Sequence, residues 1–228
     1  MSVIKFTNGK FPVLNINGTK KLIDLPSSVL IGGRKYPTVK IGNQLWMAEN
    51  LDYLINGIPL STSQSNSDTT PKCYYYNNDE STYGYNGYKC GLLYNGYAVL
   101  YMAEHANVLF PSGWRVATYN DYGMIAALGD INKLGTNLKA KSGSIANNFP
   151  QNNWNGDNLL GFSGIPAGVA ANGIYRDFGV YARLWTSTPS SNYIHQMGLS
   201  TSSEFGYGSN WWSSKYVGAS VRLVKDVA

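Results

Sequence analysis

SNWWSSKYVGASVRLVKD, residues 209–226, changes character halfway along. From Ala219 it alternates: Val221 and Leu223 fall on one face, Ser220, Arg222 and Val224 on the other, and Lys225 and Asp226 mark the end. That is the two-residue period of a strand. Before it, Trp211 and Trp212 stand side by side among serine, asparagine and glycine. Adjacent residues of an extended chain point to opposite faces, so one core face cannot take both rings. A scaffold strand therefore follows a loop or bulge that holds at least one large aromatic towards water.

The remaining composition agrees with a displayed surface. The chain has 228 residues, 43% of them hydrophobic, which is enough for a core. Only 14% are charged, well under the usual quarter or so. The surface must then be built from Tyr (18), Gly (25), Ser and Asn, a palette suited to binding because Tyr gives large contact area at low entropy cost. The net charge of +5 is spread along the chain with no Lys/Arg run, which argues against nucleic acid. No apolar run approaches the length of a membrane span. The opening MSVIKFTNGKF has no apolar stretch of the secretory kind, so a virion or another route to the cell exterior is the expected location. Cys73 and Cys90 are either a disulfide or two free thiols. Two cysteines do not make a metal site.

Residues 1–35 read as a β-hairpin appendage turning at Asn17-Gly18, for attachment or oligomerisation, and residues 36–228 as the main domain. A short helix is expected around Tyr97–Ala106. A second runs from Tyr119 towards Leu128, with Thr118 as N-cap and Asp121 at the capping-box position. Short antiparallel strands follow Leu159. The expected class is α+β.

The series VKIGNQLWMAENLDY (39–53), YYNNDESTYG (75–84), GLLYNGYAV (91–99), PSGWRVAT (111–118), GFSGIPAG (161–168), LWTST (184–188) and GASVRLVKD (218–226) resembles the Fibrobacter succinogenes major paralogous domain. The resemblance implies a C-type-lectin-like fold with two helices, a twisted antiparallel sheet and long irregular loops. It extends to the variable proteins of diversity-generating retroelements, whose binding face keeps its backbone while its side chains vary. Gly96, Ala117 and Leu223 stand where such proteins usually have Trp, Pro and Cys. By this resemblance ASVRLVKD is scaffold and about 173–217 is the displayed region.

The expected ligand-binding residues are Tyr175, Arg176, Tyr181 and Arg183 in the first stretch, and Tyr193, His195 and Gln196 in the second. Trp211, Trp212, Ser214, Tyr216 and Val217 form the third. Tyr181, Arg183, His195, Trp211, Trp212 and Tyr216 are expected to project from one surface. The partner would be a receptor on a host or target cell, protein or glycan, with no nucleic acid, membrane insertion, cofactor or metal, and with a homo-oligomer as one role for the appendage. Two alternatives compete. A calcium-dependent lectin would need six to eight oxygen ligands, and Asp177, Glu204, Asp226 and the NNWNGDN stretch (152–158) are the local supply. A structural surface or virion protein would have no use for paired tryptophans in a Gly/Ser loop. Catalysis is not expected. The formylglycine-generating enzymes share the implied fold but use C-terminal cysteines, and none follows Cys90 here; no GxSxG elbow occurs either.

Overall fold

The computed structural model describes residues 28–80, 90–130, 132–141, 154–201, 205–206 and 212–227, and the backbone alone of 10–14, 20–24, 84–85, 88–89 and 131. Strands β1 (Lys10–Leu14) and β2 (Lys20–Asp24) pair antiparallel with Leu14 opposite Lys20; the turn at Asn17-Gly18 lies outside the described residues. Strands β3 (Ser28–Ile31) and β4 (Arg34–Ile41) turn through Gly32 and Gly33, both at positive φ. A Cβ on Gly32 would overlap the Tyr53 ring, so the turn admits no larger residue. Val29 and Ile31 are buried in the main core, so the packed unit includes residues upstream of position 36.

Strand β5 (Gln44–Met47) is buried along its whole length because both its faces are covered. Leu45 and Met47 enter one core with Val221 and Leu223, and Trp46 enters a second with Val224, Tyr122 and Phe162. After β6 (Cys73–Tyr74), the hairpin of β7 (Gly84–Tyr85) and β8 (Tyr88–Lys89), and β9 (Leu93–Asn95), the chain turns helical. Asn95 caps helix α1 (Gly96–Glu104) by accepting from the Ala98 N–H at 2.9 Å. Helix α2 (Ala106–Leu109), strand β10 (Arg115–Val116) and helices α3 (Tyr119–Ala126) and α4 (Ile131–Leu138) follow. The C-terminal part is strands: β11 (Ala167–Ala171), β12 (Ile174–Phe178), β13 (Ala182–Ser190), β14 (Tyr193–Leu199), β15 (Phe205–Gly206), β16 (Trp212–Ser214), β17 (Gly218–Ala219) and β18 (Leu223–Asp226).

These strands build three principal sheets. The first runs β10-β18-β5-β4-β3, the second β12-β11-β17-β9-β6, and in the third β14 pairs with β13 on one edge and with β15 and β16 on the other. The expectation of an α+β, two-helix, C-type-lectin-like fold is therefore corrected. The architecture is mostly β, with fourteen strands in three sheets and only four short α-helices among the described residues. The physical reason is strand length. Segments of two to five residues, such as Gly218–Ala219, are strands only because distant partners complete their ladders, and no local period announces them.

Local signals fared well where the chemistry is local. Both halves of the capping box are present at α3: Thr118 Oγ1 accepts from the Asp121 N–H, and Asp121 accepts from the Thr118 N–H at 2.6 Å. Asp121 also accepts from Arg115 and, at 2.6 Å, from Gln44. Burial pushes its carboxyl up, but Arg115, Thr118 and Gln44 more than offset this and hold it at about 2. Its folded pKa thus lies below its usual value of 3.8. The stabilisation is complete above pH ~4 and disappears as pH falls towards ~2, a contribution of about 2 kcal/mol. Asp121→Asn should lower stability at pH 7 by about that amount and flatten the acid limb of a denaturation series. An acid limb unchanged by the substitution would show that other carboxylates set it.

Candidate functional site

The hairpin of β13 and β14 turns through Ser191 and Asn192, with Ser190 opposite Tyr193. Between Trp185 and Pro189 the register shifts. There the Thr186 hydroxyl donates to the His195 carbonyl at 2.9 Å, and the Ser187 N–H donates to Ala117 O at 2.8 Å. This bulge brings the end of the hairpin beside the start of α3. The Tyr119 N–H donates to Thr188 Oγ1 at 2.9 Å, and the Tyr119 ring stacks on His195 with centroids 4.2 Å apart. On the other side of His195 lies Trp212, its register partner on β16. Tyr193 and Ser214 are the next pair along the same face. Tyr119, His195 and Trp212 thus lie in series; Trp212 (36%) is the exposed ring of the stack, and Tyr193 (50%) is exposed beside it on the same face.

Two residues placed on this face by the sequence reading are corrected. His195 is only 7% exposed, because it is the middle ring of the stack. Gln196 is 2% exposed and points to the opposite face with Trp185, its amide oxygen accepting from Ser213 Oγ at 2.8 Å. Trp211 lies outside the described residues.

Ser214, Tyr216 and Val217 belong to a tight turn closed by the Val217 N–H on Ser214 O at 3.0 Å. Two residues from elsewhere hold this turn by its backbone, and a third steadies one of them. The Gly96 N–H donates to Lys215 O at 2.7 Å. Gln64 Nε2 donates to Tyr216 O at 2.9 Å, and Gln64 Oε1 accepts from the Gly173 N–H at 2.6 Å. Gly96 must be glycine for this approach, since a Cβ there would sit 2.8 Å from Lys215 Cα and 2.9 Å from Ile194 Cδ1. A tryptophan at that position would occupy the space the turn now fills. Val217 packs against the main core, and Tyr216 is half-buried.

The first predicted stretch is elsewhere. Arg183 is opposite Gly198, one residue out of phase with Leu184 and Met197, which share the side of His195. Arg183 therefore points away from the ring stack, and the single surface expected for all six residues is split in two. Its guanidinium lies 5.4 Å from the Tyr181 ring, and burial lowers its pKa, with Asp177 opposing and Arg176 adding to the shift. Tyr175 donates to Asn78 Oδ1 at 2.5 Å and meets the Tyr76 ring, which in turn meets Phe178. Arg176 is exposed beside Asp177.

Tyr119, Gln64 and Gly96 were missed by sequence reasoning. Tyr119 follows the N-cap directly, which fixes where its ring starts, but nothing local says that β14 lies opposite. Gln64 sits in a polar loop and carries no signal at all.

Among the described residues no group of three His, Cys, Asp or Glu could hold a metal ion. Asp226 accepts from Gln44 and Arg115. Cys73 and Cys90 are buried and not joined in a disulfide, and burial pushes the Cys73 thiol up to about 12. The description "Fibrobacter succinogenes major domain" matches the chain over residues 39–225, from within β4 to the penultimate residue of β18. No curated protein and no solved structure matches it.

Proposed function

The chain belongs to the Fibrobacter succinogenes major domain family, and from that premise we propose that it is a non-catalytic ligand-binding protein. It displays side chains of the outward face of β14 and of residues 212–216 to a receptor on a host or target cell, from a virion or a cell exterior. The observation that carries this reading is how the displayed turn is held. Lys215 and Tyr216 are fixed through their carbonyls by Gly96 and Gln64, so the backbone there does not depend on the displayed side chains. A segment so held tolerates replacement of Trp212, Ser214 and Tyr216, which is what a diversified variable protein requires. Exposed aromatics on such a segment are the residue types that dominate binding energy.

The test sets two kinds of substitution side by side. Trp212, Ser214 and Tyr216 changed together to alanine should shift stability by no more than about 1 kcal/mol, since Trp212 is exposed and the other two are only partly buried, outside the closed core. Gln64→Ala removes two buried hydrogen bonds to backbone and should cost about 1–3 kcal/mol, with faster proteolysis in 212–217. The triple variant should lose attachment to cells that the parent binds. If the triple variant unfolds while Gln64→Ala does nothing, the display reading is wrong. A near-copy of the gene's 3′ end differing mainly at adenines, beside a reverse-transcriptase gene, is the outcome expected for a retroelement variable protein.

A further inference from the structure

We propose that the exposed strip of the third sheet is a site for a neutral glycan, with one pyranose ring stacked on Trp212; this rests on the binding reading above. Three observations point to that chemistry. Trp212 packs on His195, and His195 stacks on Tyr119 at 4.2 Å and 26° between planes, so the indole has an aromatic backing on its inner side. A pre-set flat aromatic face suits a flat apolar patch. The C–H face of a pyranose is one, its hydrogens made slightly positive by the ring oxygens and drawn to the negative face of an aromatic ring.

The surroundings of the stack are the second observation. Ser190, Ser191, Asn192 and the Tyr193 hydroxyl are exposed at the hairpin end, and Ser214 lies across from Tyr193. All are neutral, and all can both donate and accept, or do each with separate atoms, as neighbouring sugar hydroxyls demand. Third, no charged residue belongs to this set, and Arg183, the cation of the predicted face, points to the other side of the sheet. A protein receptor is usually gripped through arginine as well as aromatic anchors over a broad area. An anionic ligand would want clustered cations, and Lys215, beside Ser214, is the one cation next to this set among the described residues.

The probes are an array of neutral oligosaccharides of glucose, galactose, mannose and N-acetylglucosamine, and titration of the best binder by saturation-transfer NMR. Wild-type protein should bind at least one, with transfer strongest at ring C–H protons. Trp212→Ala should weaken binding about tenfold or more, and Trp212→Phe should restore part of it, with thermal unfolding matched to wild type in both. Binding to no member of the array, or binding indifferent to Trp212→Ala, overturns the inference. Attachment to whole bacterial cells separates this from the parent reading. If no glycan binds and protease treatment of the cells, but not periodate, abolishes Trp212-dependent attachment, the receptor is a protein and only the glycan inference falls. If Trp212→Ala and the triple alanine variant both attach like wild type, both fall.

Discussion

Arg222→Leu is expected to destabilise the protein by about 3–5 kcal/mol, the larger part of what holds many domains folded. Arg222 is fully buried, and among the described residues it makes no ion pair, although Glu49 favours its charge from a distance. Its Nε donates to Asn50 Oδ1 at 2.9 Å. Its two terminal nitrogens donate to the carbonyls of Met47 at 3.2 Å, of Phe162, and of Ser163 at 2.7 Å. The guanidinium plane also covers the Phe162 ring at 4.3 Å. Burial pushes its pKa down to about 10, so the side chain remains charged at pH 7. One planar fork thus joins the end of β5, the loop at 162–163 and the last strand. Leucine matches the apolar surroundings but leaves four acceptors facing it without a donor. Arg222→Lys keeps the charge, but a single ammonium cannot span three separated carbonyls, so it should rescue less than half of the loss. Guanidinium denaturation reads both. A midpoint shift worth under about 1 kcal/mol for Arg222→Leu would show that the knot is not what ties these segments together.

Trp185→Ala should be nearly as severe, at about 3–5 kcal/mol for truncating a fully buried large aromatic. Trp185 has no exposed surface, and its indole N–H donates to Tyr94 O at 2.7 Å, joining the third sheet to the second. Its own N–H donates to Ser220 O at 2.9 Å, which secures β13 beside the segment leading into β18. Trp185→Phe should recover most of the volume and lose the indole hydrogen bond, for a cost of about 1–2 kcal/mol. The loss is best followed by far-UV circular dichroism, because the substitution changes the fluorescence itself. Since Trp185 supports the hairpin that carries Tyr193, the alanine variant should also lose ligand binding. Retained binding in a destabilised Trp185→Ala protein would mean that the face does not depend on this support.

Both residues lie in motifs the sequence made legible, LWTST and GASVRLVKD. The alternation of Val221 and Leu223 against Val224 is real, with the first two in one core and Val224 in the other. Trp114 is buried at 5% and Trp185 at 0%. The helices near Tyr97 and after Thr118 were also readable, the second with its cap, because a capping box is made by residues three apart; the Asn95 cap of the first was not read. The four residues of α4 most relevant to its start, Asp130 to Lys133, include an Asn and no strong apolar period; the Asp130 cap at 3.0 Å on the Asn132 N–H was overlooked.

The sequence by itself determined the family, the two-faced final strand, the capped helix after Thr118 and the aromatic character of the segment before Gly218. Each rests on residues close together in the chain or on an order of motifs. Tertiary structure alone decided that the fold is mostly β, since two-residue strands exist only through distant partners. It also decided that Arg183 and His195 turn to opposite sides, because a strand's phase is set by its neighbour's register. That Gln64 and Gly96 hold a turn more than a hundred residues away depends likewise on closeness in space, to which local sequence contributes no period, cap or spacing.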